Sequence, residues 1–299
     1  MTDLDDRGLG TPSPDGQPER VRSGIVYVFE PNTKVRPPIS EYVRDIWDRR
    51  RFLVAMADAE LKGAHSTTFL GSIWVVVDPL FQAAIYYLLI TILRGGNTSG
   101  DSSARIAIMV GCIFMFTLLT GTINEGAQSI LRQKQLMLNS TFPRALLPLA
   151  VVYKQLRGFL PSIPIYLLFH LMLGMPITVA ICLVPLLFVL QTVMATGFAL
   201  LFATLTVFVH DTTNLLSYAT RILFFATPVL YPVDQIPAGV RPFLAVGPFY
   251  GLFASYQSII VGEVPSPTYI LQTMAWTTFA IVVGYRLFVS NERSFSLHL

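Results

Sequence analysis

The chain has 299 residues, of which 53% are hydrophobic and only 13% are charged, and its formal net charge is +3. About a quarter of the residues of a soluble globular protein are charged, so this composition excludes an ordinary soluble domain and favours a membrane protein. The two cysteines, Cys112 and Cys182, both fall in apolar segments, which argues against a disulfide framework and against a cysteine-based metal site.

The N-terminal residues 1–40 are polar and rich in proline and glycine, and they do not resemble a cleavable signal peptide. We predict a flexible cytoplasmic tail there. Residues 41–68 mix aromatic and aliphatic side chains with charged ones, which is typical of an amphipathic helix in the lipid headgroup region. An ordinary helix docked on other protein is the alternative. The residues predicted to lie at the membrane interface are Trp47, Arg49, Arg50 and Arg51.

Six long apolar segments follow, each roughly as long as the ~20 residues that a helix needs to cross a bilayer. They begin near residues 70, 105, 145, 177, 214 and 268. The third contains prolines at 148, 161 and 164, which predict a kinked helix. The fourth has small residues at four-residue spacing from Ala195 to Ala203, which favour close helix packing. The predicted fold is an all-α integral membrane protein with six transmembrane helices per subunit.

Two segments between these spans are too polar or too interrupted to cross the membrane. Residues 128–140 mix aliphatic side chains with Arg132, Gln133, Lys134 and Gln135, which predicts a short amphipathic helix. Residues 232–265 are half apolar but are broken by five prolines. We predict that they form a re-entrant helical pair on the outer side, before the last span.

The placement of basic residues predicts the orientation. With six spans, all but three of the 21 Lys and Arg residues lie on one side; the exceptions are Arg94, Arg105 and Arg241. Basic residues are enriched in cytoplasmic loops, so both termini are predicted to be cytoplasmic. The domain organisation is then a tail at 1–40, a transmembrane domain at 41–290 and a C-terminal tail at 291–299.

The motifs of ATP hydrolysis and of common enzymes are missing. The sequence has no G-x-x-x-x-G-K-[ST] phosphate-binding loop, no H-E-x-x-H, no C-x-x-C and no G-x-S-x-G. Acidic residues inside the spans are nearly limited to Asp78, although ion-coupled transporters usually need buried carboxylates. We therefore predict no catalytic residue, no bound metal, no cofactor in this chain and no nucleic-acid partner.

Two basic residues, Lys154 and Arg157, lie near the start of the third span, one helical turn apart. Either their side chains extend to the cytoplasmic interface, or they line a polar path and attract a diphosphate head group. Aromatic side chains provide a second hypothesis about the path, because they can hold the apolar faces of a sugar weakly. The residues predicted to line the substrate path are Lys154, Arg157, Phe159, Tyr86, Phe116 and Tyr231.

Four motifs in order resemble one known family. The segment AELKGAHSTTFLGSIWVVVDP (59–79) is similar to the type-2 ABC exporter permeases of polysaccharides and teichoic acids, with Leu61, Gly71 and Trp74 among the matches. Here Gly63, Ala64 and His65 replace the usual basic–aromatic pair. The segments NSTFPRALLPLA (139–150), VHDTTNLL (209–216) and ATPVLYP (226–232) resemble further parts of the family pattern.

The resemblance implies a homodimer with two copies of a separate ATPase subunit, which binds Mg-ATP. It also implies that the 41–68 helix frames the cytoplasmic gate, that residues 128–140 couple the permease to the ATPase, and that 210–214 make a smaller contact. The implied coupling residues are Gln128, Ile130, Leu131, Arg132, Gln133, Lys134, Gln135, Leu136 and Asp211.

The predicted function is the channel-forming subunit of an ATP-driven exporter in the bacterial inner membrane. Its cargo would be a lipid-linked polysaccharide such as a cell-wall galactan, an O-antigen-like glycan or a teichoic acid, moved from the cytoplasm to the exterior among membrane lipids. A drug or lipid exporter of the same architecture is the nearest alternative. A membrane glycosyltransferase would need a constellation of carboxylates or a metal site, and a passive channel would work without an ATPase.

Overall fold

A computed structural model of the chain describes residues 39–65, 102–139 and 142–295, together with scattered positions between 73 and 92. The described residues from Tyr42 onward belong to one compact unit. Within this part of the chain the structure is helical and contains no strand, as predicted. The α-helices are α1 Ile39–Asp48, α2 Arg50–His65, α3 Ser102–Arg132, α4 Lys134–Asn139, α5 Leu146–Phe159, α6 Ser162–Met172, α7 Val184–Phe208, α8 Thr212–Ala226, α9 Arg241–Ala245, α10 Tyr250–Ile260 and α11 Pro267–Asn291.

The predicted interface helix consists of two helices rather than one. It begins at Ile39, so the predicted tail is two residues shorter, and α1 and α2 meet at Arg49, which is a turn residue. The Arg49 amide still donates to the Asp45 carbonyl, and the Arg49 carbonyl accepts from Leu53. The backbone therefore stays hydrogen-bonded from α1 into α2. Residues 66–68 of the predicted helix lie outside the described part.

Three helical stretches are long and apolar enough to cross a membrane: Ser103–Arg132, Val179–Phe208 and Pro267–Ser294. They correspond to the second, fourth and sixth predicted spans. The first predicted span falls largely outside the described residues. The described residues therefore contain three of the six predicted spans at full length, and the count of six stays a prediction.

The third and fifth predicted spans are short helices in the structure. The third divides into α5 and α6 at Leu160 and Pro161, so the predicted kink is confirmed. The backbone nitrogen of proline has no hydrogen to donate, and its ring crowds the preceding turn. The fifth, α8, has 15 residues and ends at Ala226, before Pro228, rather than near Tyr231. A residue before proline is disfavoured in the helical conformation, which explains the earlier end.

Small residues bring the three long helices together, as the spacing in the fourth span predicts. A β-carbon on Gly126 of α3 would lie 2.6 Å from that of Ala199 in α7. One on Gly197 of α7 would lie 2.4 Å from the Ala280 carbonyl carbon in α11. Since neither glycine carries a β-carbon, the helix backbones approach closely. Helix α7 is thus the central element, packed on α3 and α11.

The predicted re-entrant segment contains a helical pair, α9 and α10, and α10 is almost completely buried. One α10 side chain, Gln257, satisfies backbone groups of the irregular segment after α8. Its Nε2 donates to the carbonyls of Pro228 (2.6 Å) and Tyr231 (2.9 Å), and its Oε1 accepts from the Val233 amide at 3.0 Å. These bonds let a non-helical backbone persist inside the protein. The membrane depth of the pair stays a prediction.

Within the predicted C-terminal tail at 291–299, the described residues up to Phe295 pack against the helices. A short 3-10 helix at Glu292–Ser294 is followed by Phe295, which is fully buried. Its ring lies 5.2 Å from that of Phe288 and 6.2 Å from that of Phe208. Burial of a large aromatic side chain therefore fixes the end of α11 against α7.

Candidate functional site

A cluster of charged side chains joins three helices at the end of α3 that leads into the predicted coupling segment. We call it the charged cluster; it consists of Asp58 and Glu60 from α2, Glu125 from α3, and Lys154 and Arg157 from α5. The two cations are three residues apart, so they project from neighbouring positions of one helix face.

Lys154 is the central residue of the charged cluster. Its Nζ lies 3.3 Å from Glu60 Oε2 and donates a short hydrogen bond to Glu125. The Lys154 side chain is 12% exposed, whereas the Glu60 and Glu125 side chains are 28% and 33% exposed. Burying an ammonium group is costly unless carboxylates pair with it. Lys154 therefore ties α5 to both α2 and α3.

Arg157 forms a more exposed pair in the same cluster. Its guanidinium donates to Asp58 in a short contact, and the Arg157 side chain is 47% exposed. Exposed ion pairs contribute little to stability, so the Arg157–Asp58 pair should join α5 to α2 less strongly than Lys154 does. The cluster as a whole has three carboxylates for two cations. With both cations paired to carboxylates, the cluster is suited to joining helices. It is less suited to attracting an anionic head group, the second of the two hypotheses drawn from the sequence.

One predicted coupling residue, Gln133, is bonded directly to the charged cluster. Gln133 separates α3 from α4, and its Nε2 donates to Glu60 Oε1 at 2.9 Å. Glu60 thus accepts from Gln133 with one carboxylate oxygen and pairs with Lys154 through the other. A displacement of the α3–α4 junction would therefore pull on α2 and α5.

The predicted 128–140 helix is not a separate element. Residues 128–132 are the last turn of α3, and only Lys134–Asn139 form the short helix α4. The hydrogen bond from the Met137 amide to the Gln133 carbonyl (3.0 Å) starts this new helix. The reason for the difference is that Ile130 is fully buried in the core, so residues 128–132 continue the helix that forms the span.

The predicted coupling residues fall into buried and exposed groups. Ile130 is buried, and Leu136 packs against the core that surrounds it. Gln128, Leu131 and Gln133 are partly buried. The exposed ones are Arg132, Lys134 and Gln135. Asp211 is also exposed and precedes α8. The exposed side chains are the ones available to a partner protein.

The predicted substrate-path residues that the structure describes lie in several places, and their role stays a prediction. Phe116 is buried against Phe224 (5.1 Å between ring centroids) and Phe253 (5.7 Å), which is a packing role. Phe159 stacks on Phe188 at 6.1 Å and lines a cavity. The half-buried Tyr231 donates its hydroxyl to the Phe225 carbonyl at 2.9 Å. Tyr86 lies outside the described residues.

The predicted interface residues are exposed on the α1–α2 bend. The Trp47 side chain is 66% exposed, and the Arg50 guanidinium lies 5.2 Å from its ring centre. Arg49 pairs with Asp45 at 3.0 Å, and Arg51 is also exposed. An exposed tryptophan beside arginines agrees with a position at a membrane interface, which stays a prediction.

Sequence reasoning did not identify the acidic members of the charged cluster. No motif marks Asp58, Glu60 or Glu125 as partners of Lys154 and Arg157. The sequence feature that could have indicated them is the pair of cations near the start of an apolar span. Such cations usually need carboxylate partners. Among the described residues no group of three or more His, Cys, Asp or Glu side chains could hold a metal ion.

Comparison with known proteins shows the family of the chain. Residues 51–261 match the ABC-2 type transporter family. The chain is similar to the O-antigen export system permease protein RfbA of Myxococcus xanthus, 26% identical over 257 residues, 85% of this chain and 97% of that protein. It is also similar to the protein of the same name from Klebsiella pneumoniae, 25% identical over 79% of this chain and 90% of that one. The chain belongs to the ABC-2 type transporter family, the membrane subunits of transporters.

Proposed function

We propose that this chain is the membrane subunit of an ATP-driven exporter of a lipid-linked polysaccharide. The observation that carries the proposal is the similarity to O-antigen export permeases over almost their whole length, in a chain whose long apolar helices suit a membrane. The cargo would move from the cytoplasm to the exterior of a bacterial inner membrane. The cargo class includes a cell-wall galactan, an O-antigen-like glycan and a teichoic acid, because each is a polymer that can be carried on a lipid.

The subunit would work as a homodimer of six-span chains with both termini in the cytoplasm. Two copies of an ATPase subunit would bind Mg-ATP and dock on the cytoplasmic side. The absence of a phosphate-binding loop from the sequence supports a separate motor. Its docking surface would include the exposed residues Arg132, Lys134 and Gln135 around the α3–α4 junction, with a smaller contact at Asp211.

ATP would act by favouring one arrangement of the membrane helices over another. A ligand shifts a conformational equilibrium only as far as its affinities for the two states differ, so the ATPase must bind ATP more tightly when its two copies are closed. Closure would displace the α3–α4 junction. The hydrogen bond from Gln133 to Glu60 and the Lys154 ion pairs provide contacts through which α2 and α5 would follow.

The test of the cargo is depletion of this chain in its native cell. Completed glycan attached to its lipid carrier should accumulate on the cytoplasmic side, where external glycosidases or lectins cannot reach it, while drug tolerance stays unchanged. Normal surface glycan together with altered drug tolerance would instead indicate a drug exporter of the same architecture. Cells unable to synthesise the glycan serve as the control for indirect effects on the envelope.

The test of the motor is reconstitution with the candidate ATPase. The purified chain alone should not hydrolyse ATP, and the complex should do so. Transport by the chain without an ATPase would indicate a passive channel, and sugar transfer by the chain alone would indicate a glycosyltransferase.

A further inference from the structure

Arg221 is an exposed cation on α8, the fifth predicted span. Its guanidinium carbon lies 6.0 Å from the centre of the Tyr218 ring, one helical turn earlier in the chain. In the part of the chain that the structure describes, no carboxylate forms an ion pair with Arg221. It therefore differs from Lys154 and Arg157, whose charges are balanced within the charged cluster.

A ring contact indicates how deep Arg221 lies when α3 crosses the membrane. Arg105 and Glu125 bound a run of α3 without charged residues, and Phe116 is one residue from the middle of that run. The Phe116 ring lies 5.1 Å from that of Phe224 in α8, so the two rings have about the same depth. Arg221 precedes Phe224 by three residues, about 4.5 Å along a helix axis. With its guanidinium a further turn towards the start of α8, the cation is still within about 10 Å of the middle, whereas half of the hydrocarbon core is about 15 Å. Arg221 is thus deeper than the cytoplasmic surface to which the count of basic residues assigns it.

Arg221 belongs to a row of exposed polar side chains on α8, which we call the polar stripe. Its members are Asn214, Ser217, Tyr218 and Arg221, and all four are exposed. Each is three or four residues from another member, so they share one face of the helix. Every member can donate a hydrogen bond, and α8 contains no Asp or Glu. The polar stripe therefore offers donors and one positive charge, a combination that suits an anion.

The exposed surface of α6 has a different character. Every exposed side chain between residues 163 and 172 is apolar, including Leu168 and Met172, which are 60% and 77% exposed. Such a surface suits direct contact with lipid. A charged side chain inside a membrane almost always faces the interior of a bundle or a water-filled cavity instead. The contrast between the two helices indicates that the polar stripe borders a water-filled path.

We propose that Arg221 binds the diphosphate of the lipid-linked cargo during its passage, with the hydroxyl groups of Ser217 and Tyr218 as further donors. The proposal rests on the function proposed above and names one residue that contacts the cargo. The guanidinium presents a planar fork of N–H donors that matches two phosphate oxygens. An anion in the hydrocarbon region is costly, so one cation part of the way across lowers the barrier to its movement. A single cation also binds weakly enough to release the cargo, as conduction requires.

Thiol labelling of the full-length chain in phosphatidylcholine nanodiscs tests whether the polar stripe faces water. Cys182→Ser removes the exposed native thiol, and Cys112 is buried. In this background Ser217→Cys should react with a charged, water-soluble methanethiosulfonate, because the thiolate is the reactive form and a thiol ionises only where water reaches it. Leu168→Cys, on the apolar surface of α6, is the matched control and should not react in the same time. A thiol at position 217 that is as unreactive as the control would overturn the proposal, whatever the cargo is.

Protection from this labelling tests the ligand and the role of Arg221. A polyprenyl diphosphate should slow the labelling of Ser217→Cys, and the corresponding polyprenyl alcohol should not. Adding Arg221→Gln should raise the concentration needed for protection about 10- to 100-fold, the ratio that a hydrogen bond to a charged group supplies. Arg221→Lys should retain part of the protection, because it keeps the charge but loses the planar fork.

Two results would overturn the proposal at this step. Equal protection in Arg221→Gln, or no protection at all, would remove Arg221 from the binding of the diphosphate. Equal protection by phosphatidylglycerol would indicate a phospholipid head group and not the cargo. These measurements use purified protein and require no export, so their failure is distinguishable from failure of the depletion test, which contradicts the proposed function itself.

Discussion

Gly197 in α7 and Gly284 in α11 touch backbone to backbone: a β-carbon added to Gly284 would lie 2.0 Å from the Gly197 carbonyl oxygen. No side-chain rearrangement can relieve such a clash, because the obstructing atom is main chain. The crossing point of the two helices therefore depends on this pair, and with it the position of the C-terminal helix.

Gly284→Ala is the direct test of this contact. The added methyl group forces the helices apart, and overpacking of this kind costs about 1–3 kcal/mol. We expect a lower unfolding temperature in detergent, measured by fluorescence-detected size exclusion after heating. Gly63→Ala is the matched control, because no atom of the described residues lies within 4 Å of a β-carbon at that helical position. Alanine should be neutral there or stabilise by about 0.5–1 kcal/mol. Equal melting of Gly284→Ala and wild type would contradict the close packing.

The charged cluster predicts unequal effects for its two cations. Lys154→Met leaves Glu60 and Glu125 without their cation in a partly buried position, and we expect a loss of about 1–3 kcal/mol. Arg157→Met removes an exposed pair and should cost at most about 1 kcal/mol. The measurement is the unfolding temperature of Lys154→Met and of Arg157→Met, each compared with the wild type. Adding Glu125→Gln to Lys154→Met should recover part of the loss; a further loss would show that the carboxylates do not depend on Lys154.

The start of α4 determines which proline substitution damages the predicted coupling segment. A single helix over 128–140, as expected from sequence, would be broken by a proline at Gln135. In the structure Gln135 lies in the first turn of α4, where proline is tolerated. A proline at Met137 removes the amide that donates to the Gln133 carbonyl. We expect Met137→Pro to abolish transport and Gln135→Pro to retain much of it, measured as glycan export with both proteins inserted normally. Met137→Leu controls for the lost side chain. The reverse order of severity would contradict the helix bounds.

The exposed cations around the α3–α4 junction predict a salt-sensitive contact with the ATPase. Arg132→Glu combined with Lys134→Glu reverses two charges on a surface that is not packed in the structure. The double variant should fold normally but bind the ATPase more weakly, and the difference should shrink at high salt because exposed charges are screened. Pull-down from detergent across a salt series measures it. Arg286→Glu, on the exposed side of α11, is the control. Unchanged binding of the double variant would place the contact elsewhere.

Several features could be predicted because they depend on local sequence. The kink between α5 and α6 follows from Pro161, and the close packing of α7 follows from small residues at four-residue spacing. The bounds of the coupling segment could not be predicted. Residues 128–132 would be amphipathic both in a separate coupling helix and in the last turn of α3. The burial of Ile130, which only the structure shows, makes them the last turn of α3.

The amino-acid sequence by itself determined that this protein belongs in a membrane, that it is helical, and that proline divides the third span, because hydrophobic length and proline act over a few residues. Only the tertiary structure decided that Lys154 meets Glu60 and Glu125, residues 94 and 29 positions away. The physical reason is that helical periodicity shows which face of a helix is apolar, but not which other helix that face will contact.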